Sequence, residues 1–139
     1  MIRMREEITL LYEILGLGRK GVLEMACAIR VAEQMLFSKG LAVDDVHVTT
    51  DIYPRVAKEL NKHGSSVMRQ IQRIGNECWN SMDAKMKKKY LGKDLKDIRA
   101  PKDMIFYFAY YVHFQRGYYE VLEKNPSILF GHIELPIEF

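Results

Sequence analysis

The sequence predicts an all-α protein, a compact bundle of about six helices that contains a helix-turn-helix and ends in an extended C-terminal tail. Three observations carry that expectation. Apolar residues recur at helical spacing along most of the chain, no alternating run of strand type precedes the tail, and glycines and prolines punctuate the apolar segments at helix-length intervals. With 139 residues, 48% hydrophobic and 28% charged, the chain suits one soluble domain. A domain of this size buries roughly 68–70% of its unfolded surface and needs no disulfide or metal to do so.

The first helix runs from Glu6 to Leu15 with Ile8, Leu11, Tyr12 and Leu15 on one face, and Gly16-Leu17-Gly18 closes it. A second, from Gly21 to Ser38, places Val22, Met25, Ala26, Ile29, Ala32, Met35 and Leu36 on one stripe and stops at Lys39-Gly40. After a polar link containing Asp44-Asp45, Thr49 and Thr50 are positioned to cap a short helix from Asp51 to Asn61. Its Pro54 falls in the first turn, where the missing N–H matters least. The turn Asn61-Lys62-His63-Gly64 follows, and Ser65 is the expected N-cap of a helix from Ser66 to Trp79 or Met82. A brief helix covers Asp83 to Tyr90, and Pro101 opens an aromatic helix from Met104 to Phe114. That wide apolar surface suits either a central core helix or a subunit interface, so a homodimer through Phe106 to Phe114 or through the tail is open. From Asn125-Pro126 to Phe139 the chain reads as extended, with His132-Ile133-Glu134-Leu135 alternating as an edge strand does. The predicted domain is residues 1–117, and residues 118–139 form an extension of unassigned role.

Several chemistries are set aside on composition and spacing. Cys27 and Cys78 stand 51 positions apart without a Cys-x-x-Cys or a neighbouring His pair, which reads as buried thiols in a reducing compartment. His47, His63, His113 and His132 are dispersed, so no metal site and no nucleophile–base pair is expected. Glu6-Glu7 and Asp44-Asp45 fall where capping and helix-dipole effects explain them. Gly16-Leu17-Gly18-Arg19-Lys20-Gly21 matches G-x-G-x-x-G, but a helix precedes it where a dinucleotide fold needs a strand, so it reads as a helix-to-helix connection. No catalytic residue and no cofactor is expected. The N-terminus lacks an apolar signal region, and the longest apolar run, Met104 to Val112, is about half of a membrane span, so a cytoplasmic protein with no membrane partner is expected.

Charge is uneven. Residues 62–89 hold seven basic and two acidic side chains (+5), whereas residues 118–139 hold one and four (−3). The positive stretch coincides with the two short helices and their tight turn. Ala57 is a small residue for the helix crossing, Val56 and Leu60 flank it, and Val67, Ile71, Ile74 and Cys78 form an inward stripe on the second helix. The opposite face carries Arg69, Gln72, Arg73 and Asn76, residue types that read bases in the major groove, with arginine bidentate to guanine and Gln or Asn to adenine. Ser65, Ser66, Lys62 and His63 at the helix start, and Lys85, Lys87, Lys88 and Lys89 beyond its end, are candidate phosphate contacts. The expected partner is therefore double-stranded DNA. A solvated polar face on an ordinary two-helix corner would give the same pattern.

At these residues the chain resembles a known family, the C-terminal DNA-binding effector domain of the sporulation initiation response regulator, stage zero sporulation protein A. Tyr53-Pro54-Arg55-Val56-Ala57-Lys58-Glu59-Leu60-Asn61 is similar to that family's Tyr-Pro-Asp-Ile-Ala-Lys-Lys-Phe-Asn, and the likeness continues through Ser65, Val67, Arg69, Ile71 and Trp79. It extends to Glu7-Ile8-Thr9, Lys20-Gly21, Ala28-Ile29 and Tyr90-Leu91-Gly92, covering residues 6–117. The resemblance implies a six-helix domain whose third and fourth helices form the helix-turn-helix, and a transcriptional regulator that binds tandem DNA boxes. About five residues precede the matching region, which implies a regulator without the family's receiver domain and its phosphorylation switch. Ser66, Met68, Gln70, Gln72 and Arg73 replace the family's Arg, Glu, Ala, Arg and His, and Arg69 alone keeps a reading position. Each lost guanine contact removes about 1–3 kcal/mol of discrimination, which implies a different DNA target or, alternatively, a protein-interaction module that keeps the fold without that operator recognition.

Overall fold

Helical periodicity becomes seven α-helices in the computed structural model, which describes residues 2–97 and 101–130 and contains no strand among them. They are α1 (Arg5–Leu15), α2 (Val22–Glu33), α3 (Tyr53–Leu60), α4 (Gly64–Ser81), α5 (Ala84–Leu91), α6 (Asp103–Phe114) and α7 (Tyr118–Lys124). A π-type turn, Gln34–Ser38, prolongs α2, a second, Val48–Ile52, runs into α3, and Pro126–Phe130 is a 3-10 turn. No helix among the described residues is long and apolar enough to cross a membrane.

The centre is built from α2 and α6, packed against each other, with α4 and α1 also lying on α2. Ten of the twelve residues of α2 are buried, and eight of the twelve of α6. A helix buried on nearly all sides is apolar nearly all round, and α2 departs from this only at Glu24, Arg30 and Glu33. Ala26, Ala28 and Ala32 keep α2 slim, so neighbouring helices approach closely, while Tyr110 and Phe108 fill the space from α6. The aromatic helix is thus covered within one chain. Tyr111 and Phe114 are half-buried, and His113 is stacked on Phe37 with ring centroids 4.0 Å apart.

Other expectations are refined by the packing. On α1 the buried edge is Leu10, Leu11, Ile14 and Leu15, and Tyr12 is 41% exposed. Two helical stripes overlap in this segment, and the one with more aliphatic surface turns inward. Thr49 and Thr50 do not cap α3. The chain enters through the π-type turn, where Asp51 Oδ2 accepts from the His47 N–H at 2.8 Å. Asp83 does cap α5, accepting from the Met86 N–H at 2.8 Å.

Tyr118–Lys124 is α-helical and Pro126–Phe130 is a 3-10 turn, so the chain does not become extended at Asn125-Pro126. Val121 and Ile128 are buried, and Tyr118 packs edge-on against Tyr110 with ring centroids 4.7 Å apart. Burial of a Val or Ile side chain is worth about 1.5–3 kcal/mol, enough to fold a seven-residue helix that has little stability alone. The suggested strand around His132 to Leu135 lies outside the described residues.

Candidate nucleic-acid interface

The local sequence fixes the turn between α3 and α4. Asn61 takes the left-handed conformation (φ 51°, ψ 54°), and the Lys62 N–H donates to the Ala57 carbonyl at 3.0 Å, the hydrogen bond that closes a helix around such a residue. His63 is extended and is the N-cap of α4, so the expected cap, Ser65, sits instead in the first turn of the helix. Ser65 and Ser66 therefore contribute backbone N–H groups to the open helix start, because Gly64 already adopts helical geometry.

On α4 the inward stripe is Val67, Ile71, Ile74, Gly75 and Cys78. Burial pushes the Cys78 thiol up to about 12 and that of Cys27 up to about 11, so neither is a thiolate at neutral pH. Gly75 is required by contact: a Cβ there would stand 2.6 Å from the Pro101 carbonyl oxygen. The opposite face is exposed at Ser65, Arg69, Gln72, Arg73 and Asn76. Arg69, Gln72 and Asn76, spaced i, i+3 and i+7, form its middle. Arg69 has no hydrogen bond or ion pair among the described residues, and Gln72 lies beside the hydroxyl of the buried Tyr53 on α3.

The expected cations do not form one cluster. Lys62 reaches back to the buried Glu24 on α2, and this ion pair fastens the α3–α4 turn to the core. Arg73 donates to the Lys20 carbonyl at 2.7 Å and to Gln70, and stands 4.0 Å from Glu77. Lys87 lies over the Trp79 ring at 4.0 Å, which brings α5 against the end of α4. Lys89 instead borders a groove of about 530 Å³ between α1 and α6, with Arg5, Glu6 and Glu13. His63, Lys85 and Lys88 are exposed.

Sequence reasoning identified Gly16 to Gly21 as a helix-to-helix connection but missed that it packs against α4. Gly21 (φ 90°) packs so closely on α4 that a Cβ would lie 2.9 Å from both Gln70 Oε1 and Ile74 Cγ1. Arg19 pairs with Glu77 at 3.6 Å, and Lys20 is exposed beside Arg73. The glycine run is thus a spacer that sets two cations against the edge of α4. Its one sequence signal was Gly21, but no local spacing links Lys20 to a residue 53 positions away. Among the described residues no group of three or more His, Cys, Asp or Glu side chains could hold a metal ion. No protein-family model, curated protein or solved structure matches the chain.

Proposed function

We propose that the protein is a sequence-specific, DNA-binding transcriptional regulator in which α3 and α4 act as a helix-turn-helix and α4 enters the major groove. One observation supports this reading above the rest. The polar side of an 18-residue helix stands clear of the described chain, with Arg69, Gln72 and Asn76 in line along it. A major groove about 12 Å wide accepts such a helix, and these side chains match the donor and acceptor patterns of guanine and adenine. Ser65, Ser66 and His63 suit the phosphates at the helix start, with Lys85 and Lys88 near its far end. Arg73, held by Lys20 and Gln70, serves to fix the helix edge rather than to read a base. Any operator differs from that of the sporulation-regulator family, because two of that family's reading arginines are replaced.

A fluorescence-anisotropy titration with duplex enriched from a random pool tests the assignment. Wild type binds with an affinity that falls steeply with salt, and Arg69→Ala together with Gln72→Ala costs about 1–3 kcal/mol for each lost base contact. Absence of duplex binding at low salt, or equal binding by the double variant, refutes it. A protein-interaction module is the second reading. It is favoured by the internal use of Lys62 and Arg73, which removes two of the cations a strong DNA binder would direct at phosphates.

A further inference from the structure

We infer that the connection between α1 and α2 is a second DNA-contacting element, in which Arg19 and Lys20 grip the phosphate row beside the groove occupied by α4. The inference rests on the major-groove reading above and adds a site to it. An α-helix with its side chains is about 10–12 Å across, close to the width of the major groove. Whatever lies against the flank of a seated helix therefore meets the sugar–phosphate backbone.

The connection lies there. The Lys20 carbonyl accepts from Arg73 of α4 at 2.7 Å, Arg19 is 3.6 Å from Glu77 of α4, and Gly21 leaves no room for a side chain against Gln70 and Ile74. These contacts hold the segment and α4 as one surface, so it approaches the duplex without further ordering. Arg19 and Lys20 are exposed, and with Arg73 they set three cations around the carboxylate of Glu77 on this flank. The Arg19–Glu77 pair is itself half-exposed, so it holds Arg19 weakly and leaves guanidinium donors for a phosphate.

The test is the salt dependence of binding to a short random-sequence duplex, measured as the slope of log affinity against log salt. Lys20→Ala lowers that slope by about 1, the loss of one phosphate contact. Removing Arg19 alone would expose Glu77, so Arg19→Ala is made in Glu77→Gln protein and compared with Glu77→Gln alone, where a further loss of about 1 is expected. Leu17→Ser, a neutral change on the same segment at a residue 80% exposed, leaves the slope at its wild-type value. Slopes unchanged by both charge removals overturn the inference, as does a Leu17→Ser loss as large as theirs, which would mean general damage to the segment. If wild type binds and Arg69→Ala weakens it while both charge removals are silent, this inference alone fails. If wild type binds no duplex, the reading of α4 fails with it.

Discussion

Replacing Glu33 by glutamine should abolish a pH dependence of stability that originates far from the proposed interface. Glu33 near the end of α2 and Glu7 on α1 are 5% and 3% exposed, and their carboxyl groups lie side by side. Burial, then the neighbouring Glu7 carboxyl, pushes Glu33 up to about 10, against a smaller opposing effect of Arg30, whose Nη1 is 3.6 Å from Glu33 Oε1. Two carboxylates cannot both be charged at such a site, so the pair keeps one proton at neutral pH. The folded state therefore binds that proton more tightly than the unfolded chain. The resulting stabilisation is complete below the unfolded value of about 4.5 and is lost progressively as pH rises towards 10. The loss is about 1.4 kcal/mol per pH unit, or about 4 kcal/mol between pH 5 and 8. Glu33→Gln keeps the shape and carries no titrating proton, and its amide can donate to Glu7. Urea unfolding of both proteins at pH 5, 6.5 and 8 isolates the effect, because every other titration cancels in the difference. Wild type should lose about 4 kcal/mol relative to Glu33→Gln across that range, and parallel stability curves would refute the shared proton.

Three further outcomes follow from the packing. Gly75→Ala should cost about 1–3 kcal/mol in thermal unfolding, since its Cβ would press on the Pro101 carbonyl and neither backbone can yield cheaply. Asp83→Ala should cost about 1 kcal/mol by losing the cap on the Met86 N–H, and Asp83→Asn should restore most of it in the same urea titration. Lys62→Met should destabilise by about 1–3 kcal/mol, less than for a fully buried pair because Lys62 remains 43% exposed, and adding Glu24→Gln should recover much of the loss.

Much of the fold was legible because it is written in local periodicity. The all-α class, the limits of α1, α2 and α5 to within a few residues, and the inward stripe of α4 all follow from spacing that any isolated segment displays. Residues 118–130 were not legible in that way. Tyr118 to Lys124 makes a helix too short to declare itself, and its helicity depends on α6 offering Tyr107 and Tyr110 for Tyr118 to pack against. The inward turn of α1 was equally hidden, because Ile8, Leu11, Tyr12 and Leu15 satisfy the helical period as well as the stripe that is buried. Only the neighbours of α1 decide between them.

The candidate site divides along the same line. That Arg69, Gln72 and Asn76 share a face follows from 100° per residue and holds in the folded chain. What the basic segment does as a whole does not follow from counting it. Of its seven cations, Lys62 is committed to Glu24, Arg73 to the Lys20 carbonyl, Lys87 to the Trp79 ring, and Lys89 to the border of the groove between α1 and α6. A charge of +5 over residues 62–89 is therefore not a field of that strength on one surface. The edge of α4 gains instead Arg19 and Lys20, more than forty positions upstream of the basic residues on α4. Long-range pairing has moved some charge away from α4 and brought other charge to it. On the proposed DNA-binding reading, the contact surface is thus a product of the tertiary fold, and the salt dependence of binding should track the cations gathered there rather than those adjacent in sequence.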